Sequence, residues 1–440
     1  MKRLLLTVLL LAAVSGALTY RTALRHDREY RAYMARGDQS LASDQVFGAL
    51  EAYSGALALR SDSMLAHLRR GETYQRLGDL DAAARDLTNA TQLDSSATRP
   101  LEELGDVRYA QSRFREAGEL YARYLRLDDR AGRLGYKLAL ARYREGNVSA
   151  ALTAADAALK SDEQSADALY VRGLCLRDDR KPRDAQLALE KAVALAPGFI
   201  PAREELADLY GALQRRGEEL EQLQVLAGLD HNRIERRVAI GLAHARWALD
   251  PQESEASRAA QADVAVLTLG SALERAPDHP LVYAALGRVW LDISKTREDP
   301  VALNKAIAAL ERAATSDAAT SEWLSVYARA LLQAGRVDQA EQALQQATDR
   351  YPVDLAAFPA YASVAERQNH PAAAREALMR YDALISDARG FPDRAAQIAA
   401  LSLKLNSRDD ASDWLRRGLE KSPDHPALLA LQRRIRGSAF

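Results

Sequence analysis

Ala49, Ala83, Ala117, Ala151 and Ala185 stand in register, each 34 residues after the last. Gly37, Gly71, Gly105, Ala139 and Gly173 precede them at the same period, and Ala56, Ala90, Tyr124, Ala158 and Ala192 follow. Such a period implies a stack of one supersecondary unit that buries its apolar face only against its neighbours. The core of such a stack grows along one axis, so 440 residues need not divide into two or three globular domains. With 48% hydrophobic and 28% charged residues the chain has enough apolar surface to fold.

The second repeat shows the pattern most plainly: Gly71, Tyr74, Gly78, Asp79, Leu80, Ala83, Leu87 and Ala90, then a polar turn at Asp94 and Ser95. The fifth has Ala168, Leu169, Tyr170, Gly173, Ala185, Leu189, Ala192 and Pro197; the ninth has Trp323, Ala328, Gly335, Val337, Ala340, Leu344, Ala347 and Pro352. In these residues the chain resembles the tetratricopeptide-repeat (TPR) family. The resemblance implies an all-α solenoid, a superhelix of about eleven antiparallel helix pairs, and the residues before it read as an N-terminal apolar leader helix. Numbering each repeat so that Gly71 is position 8, small side chains at 8, 20 and 27 let helices A and B approach to about 8–10 Å. Gly78, Gly146 and Gly335 fall at the A–B turn, where a positive φ suits glycine. Pro197, Pro277, Pro352 and Pro423 stop helix B.

The register runs from about residue 28 to 437 and is irregular between about 212 and 302. Glu219 and Leu226 stand where small residues belong, and about twelve extra residues surround Asp250–Ser257. About seven more near 293–300 are expected as a longer loop, because Asp299-Pro300 reads as a fresh helix start. The array therefore divides into an N-terminal lobe, 28–230, and a C-terminal lobe, 231–437, closed by a capping helix at 426–437. Residues 1–20 stand apart. Lys2-Arg3 precede an apolar run from Leu4 to Tyr20, which fits a cleaved signal peptide or an uncleaved membrane anchor. Either places the array outside the cytosol, periplasmic and inner-membrane-anchored or secreted. Arg21, Arg25, Arg28 and Arg31 resist translocation of that flank.

Nothing in the motifs carries catalysis. There is no GxGxxG, P-loop, nucleophile elbow or HExxH, and the lone Cys175 excludes internal disulfides and cysteine-based zinc sites. No cofactor or metal is expected. Sixty basic against 61 acidic residues leave no basic excess for phosphate neutralisation, which disfavours nucleic acid. Pro-Asp-His-Pro occurs at 277–280 and 423–426, both times at the B-to-A turn, so turn chemistry accounts for His279 and His425.

The candidate site is a surface. The resemblance places a concave face on helix A, chiefly positions 2, 5, 9, 12 and 13. Repeats three to five put Tyr109, Tyr136, Leu140, Tyr143, Tyr170 and Leu174 there, with Arg99 and Arg133 at position 2 and Arg144 and Arg177 nearby. Tyrosine and arginine are the residue types that anchor a protein or peptide segment. The competing reading is that some of these tyrosines pack against the next helix, as Tyr74 and Tyr210 should. The family's carboxylate clamp is absent: its positions hold Met34, Leu68, Glu102 and Asp38, Glu72, Asp106. The expected function is a non-catalytic scaffold in an envelope-associated assembly or secretion complex. A structural spacer or homo-oligomeric assembly factor, and a substrate-presenting part of an enzyme, are the alternatives.

Overall fold

The computed structural model describes residues 2–128, 132–385 and 390–437, with side chains from Tyr20 to Ile435 within those ranges. They form twenty-three helices, and no strand occurs among them. The first lie in order as α1 (Lys2–Ala42), α2 (Val46–Leu59), α3 (Met64–Leu77), α4 (Leu80–Leu93), α5 (Thr98–Ala110) and α6 (Phe114–Leu127). Then come α7 (Gly132–Arg144), α8 (Val148–Ser161), α9 (Ala166–Asp178), α10 (Pro182–Leu195), α11 (Ile200–Ala212) and α12 (Arg216–Leu229). After these follow α13 (Ile234–Ala248), α14 (Glu255–Arg275), α15 (Pro280–Thr296), α16 (Pro300–Ala314), α17 (Ser321–Gln333) and α18 (Val337–Asp349). The last are α19 (Ala357–Arg367), α20 (Pro371–Leu384), α21 (Phe391–Lys404), α22 (Arg408–Lys421) and the cap α23 (Pro426–Gly437). Odd-numbered helices are the A helices and even-numbered ones the B helices.

The A–B seam forms because glycine at position 8 makes room for one large side chain from helix B. A Cβ added at Gly71 would lie 2.8 Å from Leu87, and one at Gly105 would lie 2.5 Å from Tyr121. Leu87 and Tyr121 are themselves fully buried or nearly so, and the alanines at position 20 from Ala49 to Ala185 are completely enclosed. Cys175 is buried in the same layer, where desolvation pushes its thiol up to about 11 and leaves it unreactive. Between the helices, Gly78, Gly146 and Gly335 take the expected positive φ of 86°, 90° and 73°. The same turn position is left-handed at Asp44, Ser112, Arg180, Gln214, Glu298, Asn369 and Asn406, which carry side chains. Helix starts are capped, as when Ser63 Oγ accepts from the Ala66 N–H at 3.1 Å and Asp79 from Ala82 at 2.9 Å.

The chain divides into two compact lobes, Met1–Leu209 and Tyr210–Phe440. The division falls inside α11, whereas the irregular repeats placed it at 230/231. The irregular repeats keep their seams: a Cβ at Gly241 would meet Leu269 at 2.6 Å and one at Gly287 would meet Leu310 at 2.4 Å. Glu219, in place of a small residue, is buried with Arg246 and Arg216 as ion-pair partners. The two insertions go mostly into helix. α14 reaches 21 residues and α15 extends to Thr296, so the expected long loop near 293–300 is only a short turn before α16. Asp299 does cap α16, accepting from the Val301 N–H at 2.8 Å. The expected apolar leader lies at residues whose side chains are outside the described set. No helix among the described residues is long and apolar enough to cross a membrane.

Candidate functional site

In the first lobe, α3, α5, α7, α9 and the start of α11 follow one another as A helices, and α7 and α9 touch directly. Their facing positions alternate in charge, because α3, α5 and α7 present cations to carboxylates one repeat earlier and α9 presents one to the repeat after it. Arg69 lies 3.7 Å from Asp38 and Arg99 lies 2.7 Å from Glu72. Arg133 grips Glu102 in a bidentate pair at 2.9 and 2.8 Å, while Lys137 reaches both Glu102, at 3.1 Å, and Asp106, at 2.7 Å. Bidentate geometry makes the Arg133 pair the most directional of these. Arg177 continues the ladder to Glu205 on α11 and to Asp178 at 3.0 Å.

This ladder changes the role of the expected arginines. Arg99, Arg133 and Arg177 spend their charge on the lobe's own carboxylates, and Arg144 is the exposed one that carries no ion pair with a described residue. The carboxylate ends are the enclosed ones, Glu72 at 15% and Glu102 at 12% side-chain exposure, whereas Arg99 and Arg133 stay more than half exposed, so each pair satisfies a nearly buried acid and aligns successive A helices. The carboxylates were legible as acids at position 9 in the first three repeats, Asp38, Glu72 and Asp106. Their partners were not, since pairing across 27–35 residues appears only once the helices are laid side by side. Glu103, among Glu72, Asp106 and Glu102, has its carboxyl pushed up by burial and then by those neighbours.

The aromatic positions divide in two. Tyr53 and Tyr121 are enclosed on B helices, their hydroxyls donating to Asp38 and Asp106 at 2.7 and 2.6 Å, and burial raises both phenols. On the A helices, Tyr109, Tyr136, Tyr143 and Tyr170 are half-buried. The Tyr143 hydroxyl donates to Asp178 at 2.7 Å and accepts from Arg177 at 3.0 Å, and burial followed by that hydrogen bond pushes its phenol up to about 12. The hydroxyls of Tyr109, Tyr136 and Tyr170 have no hydrogen-bond partner among the described residues. Tyr109 sets its ring edgewise on Phe114, centroids 5.2 Å apart, and Tyr170 lies 5.2 Å from Phe199. Tyr109 and Tyr170 thus pack on neighbouring aromatic rings, and all four tyrosines remain partly exposed.

Leu140 is half-buried between Tyr136 and Tyr143 along α7. Leu174 corrects the expectation. Only 2% exposed, it is closed to a partner, because α9 is enclosed over seven of its thirteen residues whereas α7 is enclosed over four of its thirteen. A further hollow went unread in the sequence, a cleft of about 700 Å³ on α17 and α19 of the second lobe, lined by Trp323, Val326, Arg329 and Leu332. The signal for it was Trp323 followed by apolar and basic residues at helical spacing. No group of three metal-ligating side chains occurs among the described residues. His279 and His425 sit at the starts of α15 and α23, where the turn reading placed them.

Comparison with known proteins follows the same lines. Family profiles described as tetratricopeptide repeat match residues 68–131, 136–198 and 302–364. The chain is similar to the DnaJ homolog subfamily C member 3 of Gallus gallus, 25% identical over 220 residues, 46% of this chain and 43% of that protein. It is also similar to tetratricopeptide repeat protein 16 of Homo sapiens, 26% identical over 226 residues, 49% of this chain and 26% of the relative. The chain thus spans less than half the length of these relatives. Among solved structures, a tetratricopeptide repeat protein from Parabacteroides merdae aligns with 56% of this chain and 93% of its own, at 14% identity and a TM-score of 0.45. Small-residue seams, left-handed A–B turns and matched profiles in both lobes carry one conclusion: the chain is built from tetratricopeptide repeats in both lobes.

Proposed function

We propose that the first lobe docks a segment of a partner protein across α5, α7 and α9, and that the chain is a non-catalytic scaffold tethered in an envelope-associated assembly outside the cytosol. As a tetratricopeptide-repeat protein it is a protein-interaction scaffold; the partner, the place and the absence of chemistry are the proposal. One observation carries the docking surface. Tyr109, Tyr136 and Tyr170 leave their hydroxyls without a protein partner on half-open rings, whereas Tyr53 and Tyr121 bind theirs to carboxylates. Rigid rings with unspent donors supply contact area and directional bonds at small entropic cost. The tether rests on Lys2-Arg3 and the apolar run from Leu4 to Tyr20.

The test is site-specific photocrosslinking from positions 140 and 144 in native membranes, repeated in the Tyr136→Ala plus Tyr170→Ala background. A discrete crosslinked protein that is lost in the double variant, with helical content unchanged, is the expected result. Equal crosslinking in both, or none from either position, overturns the docking surface. A reporter fused after residue 30 reads the tether, and cytosolic activity of that reporter overturns the localisation.

A further inference from the structure

The two insertions in the second lobe do more than lengthen helices. α13, α14 and α15 all overrun the regular repeat at the same end, where A helices stop and B helices start. The overrunning ends are tied together: Arg297 donates to the Ala259 carbonyl at 3.1 Å and to Asp263 at 3.2 Å, and His244 Nδ1 lies 2.7 Å from Gln261. They enclose a half-open cleft of about 400 Å³, whose wall is Ala245, Ala248, Leu249, Ala262, Val289 and Ile293. That volume is in the range of small-molecule sites, about 300–1,000 Å³.

Three charged groups line this cleft without an ion pair, the exposed Glu255 and the half-buried Arg258 and Asp292. Arg258, from α14, buries its Nε with no hydrogen-bond partner, and no described carboxylate pairs with it. Asp292, from α15, makes no side-chain hydrogen bond or ion pair with any described residue. Burial pushes its carboxyl up, although Lys295, Arg288 and Arg329 oppose that shift from a distance. Leaving a donor or a carboxylate half-desolvated and unpaired costs free energy that a pairing ligand recovers. Had Arg258 and Asp292 met, they would have cancelled each other; instead an aliphatic wall lies around them.

We propose that this cleft binds a zwitterionic molecule of amino-acid size with an aliphatic body, its ammonium on Asp292 and its carboxylate on Arg258. This site is separate from the docking surface on the first lobe and stands or falls without it. Neither charge alone suffices, because a bare amine would leave Arg258 unpaired and a bare acid would leave Asp292 unpaired.

The experiment is isothermal titration of the full chain with L-leucine, beside 3-methylbutylamine and 4-methylpentanoate, which each keep one charge. The expected result is saturable leucine binding, with both analogues weaker by at least about tenfold. Asp292→Asn and Arg258→Gln should each weaken leucine by a similar factor, with far-ultraviolet circular dichroism and unliganded melting confirming that the variants fold. Asp263→Asn, which loosens the tie between Arg297 and α14 at a residue outside the cleft wall, controls for loss of cleft shape: it should bind more tightly than the Arg258 variant. Overturning results are no saturable binding of leucine, valine or phenylalanine to about 10 mM, analogues that bind equally well, or variants at Asp292 and Arg258 that bind unchanged. A terminal dipeptide binding more tightly than leucine while both variants retain it would likewise overturn the assignment.

Discussion

The first lobe keeps the 34-residue period, and the second absorbs about nineteen extra residues in two places between 250 and 300 and about three more near 390, yet their seams are built alike. Gly71 against Leu87 in the first and Gly287 against Leu310 in the second are the same contact, glycine giving way to one leucine. The insertions lengthen α14 and α15 at their free ends instead of entering the seam. A repeat array is therefore tolerant along the helix axis and intolerant across it. Added turns at a helix end need only stack on their neighbours, whereas an added methylene between axes has nowhere to go in a close-packed layer.

The largest effect that tests this equivalence is a cavity in each seam. Leu87→Ala and Leu310→Ala should each cost about 2–5 kcal/mol in urea unfolding, with the two values overlapping. A clearly smaller loss at Leu310 would mean that the insertions had loosened the second lobe. Next come the A–B turns. Gly78→Val and Gly335→Val place a β-branched residue at positive φ and should each cost about 1–2 kcal/mol, although open space surrounds both. The reverse change, Arg180→Gly, should gain less than about 1 kcal/mol, because glycine's own entropic cost offsets most of the relief. Thermal melts of the three variants check the sign at each turn.

The smallest expected effect belongs to the first lobe alone and depends on pH. Glu103 has its carboxyl raised by burial and by Glu72 and Asp106, so folding favours its protonated form. Its charge destabilises the fold above the folded-state value, and that cost fades as pH falls toward the ordinary carboxylate range. Glu103→Gln should therefore melt slightly higher than the parent at neutral pH and equal to it in acid. A constant offset across the pH range would show that shape, not charge, separates the two.

How far these features were legible follows from their range. The seam alanines, the glycine turns, the proline stops and the family itself rest on spacings within one repeat, and each came through unchanged from Gly78 to Pro423. The left-handed turns at Ser112, Arg180 and Gln214 were hidden, because those residue types say nothing of positive φ and only their repeat position does. For the candidate surface, residue types were readable and their commitments were not. Leu174 occupies the same repeat position as Leu140, yet one is enclosed and the other half-open.

Periodic small and large side chains were enough to specify which helices pair and where each turn falls, since a seam repeats the same local contact along the chain. Three matters waited on the folded array: which carboxylate each arginine meets, which side chain at a given position stays open, and whether extra residues become loop or helix. These depend on neighbours 27–39 residues away, as in Arg99 with Glu72 or Arg297 with the Ala259 carbonyl, and on the burial those neighbours impose. Local propensity is blind to such partners, so packing between successive repeats settles them.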